Sequence, residues 1–393
     1  MLATPLARSA IAVAMALLVS ACSGTTATPS PTVAPTTAPT VAPTPTPTVA
    51  ASPTATPAPT LLPIIEANTT KIALTKIPIP PIAGKTASID IIEIDQAAHL
   101  MYVTDRTDTG LDIFDVSTAT AKYVKTIDMG SPPNGVSVAK NVNKVFVTTN
   151  DSNVAIIDID PASAKYQTIL LKLNTGGKMR ADELDYDSKD KKVYVANSDD
   201  GIVTVIDAVA NTIIKKFENL GEGLEQPRYN SGDGMMYMTG SGGNVVFQFD
   251  PTKDVMVKKT DIGVKCNPNG LGINPATNQA LLGCSAGRTG SKDPSFTVAW
   301  DLTAGKVIAQ FDQAGAGDAV FFSAKAGRFF FGASNFNRGG MLAIFSADPI
   351  KFITNVPTAV GAHGVAYDET NNVVYTQDQL PNEGALFSFI APK

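Results

Sequence analysis

Seven polar residues recur along the chain at intervals of 43 to 49 residues, and their types are those that bind cations or move protons. They comprise four carboxylates, two amides and one imidazole: Asp90, Asn134, Asp182, Glu225, Asn269, Asp318 and His363. A hard cation such as Ca²⁺ takes roughly six to eight oxygen ligands of the carboxylate and amide kinds. If the fold brings the set together, it is a candidate ligand-binding site. Within it Asp182, Glu225, Asn269 and Asp318 are the candidate metal ligands.

His363 adds a group that could act as a general base or as a metal ligand, because imidazole titrates near neutral pH. The chain holds one other histidine, His99, which lies outside the series. No recognisable motif places a nucleophile beside His363, so a structural role is the simpler interpretation. If the protein is an enzyme, His363 is the catalytic candidate.

Each of the seven residues opens a unit of short strands separated by polar turns. In three copies the second strand reads Val145–Asn150, Val193–Asn197 and Ala280–Cys284. Four strands in about 45 residues are typical of one blade of a β-propeller. Seven units therefore predict an all-β, seven-bladed β-propeller of four-stranded antiparallel blades. Because the innermost strands line the central channel, we expect the seven polar residues to meet at one mouth.

The two ends of the repeated region predict how the ring closes. After His363 the chain holds three strands, at about 364–367, 373–377 and 385–389, so the last blade lacks an outer strand. The segment Lys71–Ile79 precedes the first blade and resembles fourth strands elsewhere. We expect this N-terminal strand to complete the last blade, which would remove an exposed sheet edge.

A second series of carboxylates has a structural explanation. Aspartate ends the third strand in five units: Asp115, Asp158, Asp207, Asp250 and Asp301. Aspartate at the start of a tight turn accepts hydrogen bonds from the backbone ahead of it, so we interpret these as turn residues. For the first series, the alternative to a ligand site is a water-filled channel whose mouth is polar because strand starts are polar.

The repeats resemble those of the YVTN-type β-propellers. The resemblance rests on Tyr102–Asp105, Phe146–Asn150 and Tyr194–Asn197, and on the strand-opening segments Pro133–Val136 and His363–Val365. It covers roughly residues 70 to 390 and is clearest in blades one to three and seven. The resemblance implies the propeller fold, and the group includes surface and cell-envelope proteins with many different roles.

Two classes of function stay open on this basis. The leading hypothesis is a non-enzymatic binding or scaffold module whose top face contacts a protein, a glycan or a small molecule. Loops 105–110, 284–290 and 377–383 would contribute to that face. The alternative is a metal-dependent lactonase or related hydrolase that uses the acidic mouth. The polar series resembles in kind the metal cage of gluconolactonase-like propellers, which implies Ca²⁺ as the possible cofactor.

The residues before the repeats predict export and anchoring. Arg8 precedes an apolar run from Ile11 to Val19, and small residues follow up to Cys22. This ending resembles a bacterial lipobox, which implies cleavage before Cys22 and acylation of the new N-terminal residue. We therefore expect residues 1–21 to be a lipoprotein signal peptide. Lipidated Cys22 would anchor the protein to the cell membrane on its extracytoplasmic side.

Residues 22–63 consist almost entirely of threonine, proline, alanine, valine and serine, so they have little to bury. Their prolines favour an extended conformation, and we expect a disordered stalk between the membrane and a propeller that spans residues 64–393. The remaining cysteines, Cys266 and Cys284, are predicted to form a disulfide in an oxidising compartment. Pairing the strands of the fifth blade places Asn269 opposite Cys284, with Cys266 just beyond.

Composition narrows the classes of partner. Hydrophobic residues make up 44% of the chain and charged residues 17%, and the formal net charge is −5. Frequent glycine and proline with few charges are typical of a turn-rich all-β protein. No run of lysine or arginine forms a basic face, so nucleic acid is not an expected partner.

Overall fold

The computed structural model of the chain describes residues 68–80, 84–285, 295–315, 317–334, 340–359, 361–378 and 384–392. Its strands form seven four-stranded antiparallel sheets arranged in a ring, so the predicted seven-bladed β-propeller is confirmed. The predicted signal peptide, the predicted lipidation site Cys22 and the predicted stalk of residues 22–63 lie outside the described residues. Within the described part of the chain, no helix has the length and apolarity needed to cross a membrane.

The first three blades follow one another along the chain, after a short initial strand, β1 (Thr75–Pro78). Blade one consists of β2 (Ile89–Asp95), β3 (Leu100–Asp105), β4 (Gly110–Asp115) and β5 (Lys122–Asp128). Blade two consists of β6 (Pro133–Ala139), β7 (Lys144–Thr149), β8 (Asn153–Asp158) and β9 (Ile169–Asn174), with a 3-10 turn at Lys140–Val142. Blade three consists of β10 (Leu184–Asp187), β11 (Lys192–Asn197), β12 (Ile202–Asp207) and β13 (Thr212–Phe217).

Blades four to six repeat the same order, with each strand paired to the next along the chain. Blade four consists of β14 (Leu224–Asn230), β15 (Met235–Gly240), β16 (Val245–Asp250) and β17 (Val255–Asp261). Blade five consists of β18 (Pro268–Asn274), β19 (Gln279–Cys284), β20 (Thr297–Asp301) and β21 (Lys306–Phe311). Blade six consists of β22 (Gly317–Ser323), β23 (Arg328–Ala333), β24 (Met341–Ala347) and β25 (Ile350–Pro357).

The seventh sheet combines strands from both ends of the described chain. Its strands are β26 (Ala366–Asp368), β27 (Val373–Asp378) and β28 (Ala385–Ile390), and β1 pairs antiparallel with β28. The inner strand β26 begins three residues after His363, later than the start predicted from the sequence. In the same way β10 begins at Leu184, two residues after Asp182.

The turn before the second strand of every blade ends in one residue with the left-handed backbone conformation. The φ angles of these residues lie between 53° and 75°, and the residues are His99, Asn143, Lys191, Gly234, Asn278, Gly327 and Asn372. Glycine and asparagine adopt this conformation most easily, and they fill five of the seven positions. The carbonyl of His99 accepts a hydrogen bond from the amide of Val116, so His99 is a turn residue in this fold.

Much of the apolar core lies between neighbouring blades. Tyr194 and Val203 of blade three, for example, pack in one buried cluster with Met236 and Phe249 of blade four. The rings of Tyr194 and Phe249 lie 5.8 Å apart, which is ordinary packing distance for an aromatic pair. Because neighbouring blades bury each other's faces, the inner strands can carry polar groups at the channel mouth without loss of the core.

The aspartates that end the third strands are turn residues, as predicted. One oxygen of each accepts a backbone hydrogen bond from two or three residues ahead, at 2.8 to 3.0 Å: Asp115, Asp158, Asp207, Asp250 and Asp301. These carboxylates lie at the end of the propeller opposite the channel mouth formed by the inner-strand starts. They satisfy the turns there and take no part in the candidate site.

The predicted disulfide between Cys266 and Cys284 is present, with the two Cα atoms 4.5 Å apart. The predicted register beside it is wrong by one residue, because Pro268 and not Asn269 lies opposite Cys284. A register shift between Pro268 and Leu271 is the cause. Such a β-bulge inserts an extra residue into one strand, which counting along the sequence does not detect.

Candidate functional site

The seven polar residues of the sequence series lie at the starting end of the inner strands, and we call this set the mouth ring. Five of them are the second residue of an inner strand, while Asp182 and His363 shortly precede one. Glu225 and Asp318 are half-buried, and the other five are buried. Contacts join members from different blades: His363 with Asp90, and Asn269 with Asp318. The fold therefore does bring the predicted set together.

A β-bulge follows the opening residue in the inner strands and directs its side chain. The register shifts immediately after the opening pair in β2, β6, β14, β18 and β22. In blade three the amide of Asp182 and the carbonyl of Glu183 both bond to Ala196, so two residues oppose one. A bulge re-aims side chains that strict alternation would send to opposite faces. Glu183, which follows a ring member, can consequently approach the mouth as well.

Threonines of the second strands join each inner strand to the next blade. The hydroxyl of Thr104 accepts a hydrogen bond from the amide of Ile91 at 2.9 Å and donates to the carbonyl of Asn134 at 2.7 Å. Thr148 makes the same pair of contacts with Gly135 and with the carbonyl of Asp182 in blade three. The threonine of the repeated second strand thus positions the opening residue of the following blade.

Arg106, in the loop between β3 and β4, reaches across the mouth ring. Its guanidinium pairs with the carboxylate of Asp90 and donates from Nε to Oδ1 of Asn134 at 2.9 Å. Burial would raise the pKa of Asp90, but Arg106 and the hydrogen bond from His363 outweigh burial and hold that pKa below its ordinary value. Asp90 is therefore a carboxylate held between two cationic groups.

His363 has a hydrogen-bond acceptor at each ring nitrogen. Nδ1 lies 2.7 Å from the carbonyl oxygen of Gly361, and Nε2 lies 3.0 Å from Oδ1 of Asp90. Burial would lower the pKa of His363, but the bond to Asp90 and the charges of Asp318 and Asp90 raise it above its ordinary value. Both nitrogens therefore face acceptors, and the raised pKa favours the protonated ring over a neutral imidazole that could accept a proton.

Arg180 forms a second cationic contact on the rim of the mouth. Its guanidinium lies 3.0 Å from Oδ2 of Asp182 and 3.3 Å from Oδ2 of the exposed Asp199. Burial raises the pKa of Asp182 to about 7 even though Arg180 opposes this effect, and the nearby charges of Asp90 and Asp318 add to the increase. Of these three residues, Arg180 and Asp199 are accessible to solvent, whereas Asp182 is buried.

Carboxylates dominate the opposite part of the mouth. Oxygens of Glu183, Glu225 and Asp318 all lie within 4.8 Å of one another, and the amide of Asn269 donates to Oδ1 of Asp318 at 3.3 Å. Oδ1 of Asn269 is buried and has no hydrogen-bond partner among the described residues. Burial raises the pKa of Glu183 well above its ordinary value, with Asp318 and Asp182 contributing. We call Glu183, Glu225, Asn269 and Asp318 the acidic cluster.

The acidic cluster differs in one member from the metal site predicted from the sequence. Glu225, Asn269 and Asp318 belong to both sets, but Asp182 pairs with Arg180 and Glu183 stands in its place. Three carboxylates and one amide oxygen are the ligand types that a hard cation prefers. The cluster could therefore hold a divalent cation or the ammonium group of a larger ligand.

The disulfide loop supports the acidic cluster from behind. Asn267, next to Cys266, donates from its side chain to the carbonyl of Ser241 at 2.8 Å. The hydroxyl of Ser241 in turn donates to Oε1 of Glu225 at 3.1 Å. The side-chain oxygen of Asn244 accepts the amides of Cys266 and Asn267, which further restrains this loop.

Below the mouth ring, the channel widens into a cavity of about 300 Å³. Its walls are largely apolar inner-strand residues such as Ile91, Ile273 and Phe321, with Glu93, Asp185 and Arg228 as charged groups. Burial raises the pKa of Glu93 to about 8, and Asp185 adds to the effect. A ligand seated at the mouth could extend an apolar portion into this space.

Arg106, Arg180 and Glu183 were not predicted to belong to the site. Arg106 directly follows the second strand of blade one, and Arg180 lies two residues before an opening aspartate, in a chain with few charged residues. These positions are the signals that could have identified the two arginines. The predicted loop segments 284–290 and 377–383 lie mostly outside the described residues, so their part in the top face stays a prediction.

No protein-family model matches the chain, and no curated protein matches it in sequence.

Proposed function

We propose that this protein is a non-enzymatic binding module of the bacterial cell envelope and that the mouth of its propeller is the ligand site. The YVTN-like repeats and the lipobox-like sequence ending at Cys22 support this role. In this proposal a lipid on Cys22 anchors the chain and the Thr/Pro-rich stalk holds the propeller away from the membrane. The top face is then presented to a protein, glycan or small molecule.

The acidic cluster is the observation that carries the proposal. Carboxylates of Glu183, Glu225 and Asp318 lie close together, and burial and mutual repulsion both raise the free energy of such an arrangement. The apolar contacts between blades hold the fold together elsewhere, so folding does not require this cluster. A positively charged group at the mouth would relieve the repulsion. We infer that the ligand presents a cation or an amine to the acidic cluster.

Arg180 and Asp199 supply a second, exposed point of contact on the rim. A ligand that places its cationic group in the acidic cluster can hydrogen-bond these two side chains with its remaining polar groups. Glycans with amino groups and lysine-bearing protein segments both have this character. A bare divalent cation would occupy the acidic cluster without the rim contact.

Metal-dependent hydrolysis is the second candidate, because the acidic cluster offers oxygen ligands for Ca²⁺. Such a reaction also needs a group that accepts a proton, and both nitrogens of His363 already face acceptors. The binding module requires no such group. With His363 engaged in this way, hydrolysis would need a carboxylate of the mouth ring as the base.

Thermal unfolding of the full chain tests the proposal. After chelation, Ca²⁺, Mg²⁺, spermidine and glucosamine are added separately, and a ligand at a hundred times its Kd should stabilise the chain by about 2.7 kcal/mol. A Glu225→Gln, Asp318→Asn double variant should lose the response to spermidine and glucosamine. Asp301→Asn, which removes one charge at the opposite end of the propeller, should keep it.

Two results would change the assignment. If none of the cations or amines shifts the unfolding temperature, the acidic cluster is not a site for cationic ligands. If a lactone is hydrolysed in a metal-dependent reaction that the double variant abolishes, the protein is a hydrolase and not a binding module.

A further inference from the structure

A second group of carboxylates lies outside the mouth, in the hairpin formed by β3 and β4 of the first blade. Oxygens of Asp105, Asp108 and Asp112 all lie within 4.8 Å of one another. The side chains of Asp105 and Asp112 are fully buried, and Asp108 is half-buried. We call these three residues the hairpin triad.

Three oxygens of the hairpin triad, one from each residue, lack a hydrogen-bond partner among the described residues, although burial makes a partner necessary. Oδ1 of Asp105 accepts the amide of Thr107, and Oδ1 of Asp112 accepts the hydroxyl of Thr126. The Oδ2 atoms of both residues and Oδ1 of Asp108 are buried without a hydrogen bond among the described residues. A buried carboxylate oxygen without a donor or a cation is strongly destabilising, and native proteins rarely leave one in that state.

No basic side chain forms an ion pair with the hairpin triad in the described residues, although the charge of Lys85 partly offsets the effect of burial on the pKa of Asp105. Burial raises the pKa of Asp112 to about 7 and that of Asp108 to about 6, and the neighbouring aspartates add to both shifts. The close approach of the three carboxylates and their three unpartnered oxygens therefore favour a cation from solution.

The hairpin loop is shaped around the triad. A Cβ atom on Gly110 would lie 2.3 Å from Cγ2 of Thr126 and 2.4 Å from Oδ1 of Asp108, so a larger residue would displace these side chains from the start of β4. The loop brings Asp108 onto the two buried strand residues. Arg106, which pairs with Asp90 in the mouth ring, belongs to the same loop and directly follows Asp105.

We propose that Asp105, Asp108 and Asp112 bind a hard divalent cation, with Ca²⁺ as the best match, and that the bound cation fixes the loop that carries Arg106 into the mouth. Carboxylate oxygens are the ligands that Ca²⁺ prefers, and half-buried Asp108 leaves one side on which water can complete the coordination. This site is separate from the acidic cluster and does not depend on the proposed function.

Calorimetric titration with Ca²⁺ or Mg²⁺ alone tests the proposal on the full chain after chelation. The titration is done in the Glu225→Gln, Asp318→Asn background, so that binding at the mouth does not contribute. Asp112→Asn and Asp108→Asn should each weaken Ca²⁺ binding at least tenfold. Asp115→Asn, at the far end of the same strand β4, keeps its turn acceptor and should bind as the background does.

Unfolding measured in chelator separates loss of a ligand from loss of the fold. In chelator, the unfolding temperature of Asp112→Asn should be no lower than that of the background, because the variant has lost one of three carboxylates that repel each other. Added Ca²⁺ should raise the unfolding temperature of the background but not that of this variant. If Asp112→Asn misfolds, the half-exposed Asp108→Asn supplies the same test. No heat of binding in the background, or equal affinity in the Asp108 and Asp115 variants, would overturn the site.

Limited trypsin digestion tests the link to Arg106. Ca²⁺ should slow cleavage after Arg106 several-fold in the Glu225→Gln, Asp318→Asn background, because it restrains the loop, and Asp108→Asn should remove this protection. Equal cleavage with and without Ca²⁺ would overturn the proposed restraint of the loop. The hairpin triad and the acidic cluster are tested with substitutions at different residues. A negative result for one site therefore leaves the test of the other site unaffected.

Discussion

His363 of blade seven donates a hydrogen bond from Nε2 to Oδ1 of Asp90 in blade one over 3.0 Å. The bond joins two residues that lie more than 270 positions apart along the chain, at the point where the last blade meets the first. Arg106 approaches the same carboxylate from the other side. The contact therefore serves both the assembly of the ring and the electrostatics of the mouth.

The His363 pair should make stability depend on pH. The pKa of His363 is raised in the folded protein, so its contribution is complete below the unfolded value of about 6.5 and is lost as pH rises through the folded value. His363→Gln should lower the free energy of unfolding by about 1–3 kcal/mol at pH 6 and by less at pH 9. Denaturant unfolding across this range measures the difference.

His99→Asn is the matched control, because asparagine accepts the left-handed conformation of His99 and removes the other histidine. It should leave the pH profile of the parent unchanged. A profile for His363→Gln that runs parallel to the parent would contradict the raised pKa.

Thr104→Val should destabilise the joint between blades one and two. The substitution keeps the shape but removes the hydroxyl that bonds the amide of Ile91 and the carbonyl of Asn134. Leaving buried backbone groups without partners costs about 1–3 kcal/mol. Thr118→Val, at an exposed turn, should change the free energy of unfolding by less than about 0.5 kcal/mol. Equal effects of the two variants in urea unfolding would refute the role of the hydroxyl.

The disulfide should stabilise the fold by restricting the unfolded chain. Cys266 and Cys284 are 18 residues apart, and closing a loop of this size is worth about 3 kcal/mol. We expect a Cys266→Ala, Cys284→Ala variant to unfold with a free energy lower by that amount. Reductant should bring the parent to the level of the variant and leave the variant itself unaffected. A parent that is insensitive to reductant would contradict this contribution.

Ile77→Ala should show how much the seventh blade depends on β1. Ile77 is buried in a cluster with Leu386 of β28, so truncation should cost about 2–5 kcal/mol. Thr75→Ala, on an exposed position of the same strand, should have little effect. Calorimetric unfolding compares the two. A loss below 0.5 kcal/mol for Ile77→Ala would mean that the last blade is stable without the N-terminal strand.

The blades could be predicted because their signals are local and repeated. Five units carry an aspartate in the turn after the third strand, and every unit carries a left-handed residue before its second strand, at similar spacing along the chain. The meeting of the seven opening residues then follows from ring geometry alone. Each repeat of the sequence adds one blade, so residues at the same place in successive repeats lie at successive positions around the channel axis.

The composition of the acidic cluster could not be predicted in the same way. Alternation along a strand would place Glu183 away from Asp182, but the bulge opposite Ala196 lets both approach the mouth. Which carboxylate Arg180 neutralises depends on the path of its side chain over the rim, and no spacing in the sequence encodes that path. The bulges and the two arginines together decide which oxygens are left for a ligand.

The pairing of β1 with β28 has a consequence for the order of events during biosynthesis. Thr75 faces Ser388, so a strand made early must wait for roughly 310 further residues before its partner exists. Until β28 has been synthesised, the first six blades can be complete sheets, but β1 has no partner and the edge of β27 is uncovered. Incomplete chains are therefore marked by exposed edges that proteases can recognise, whereas a finished ring offers none at this junction.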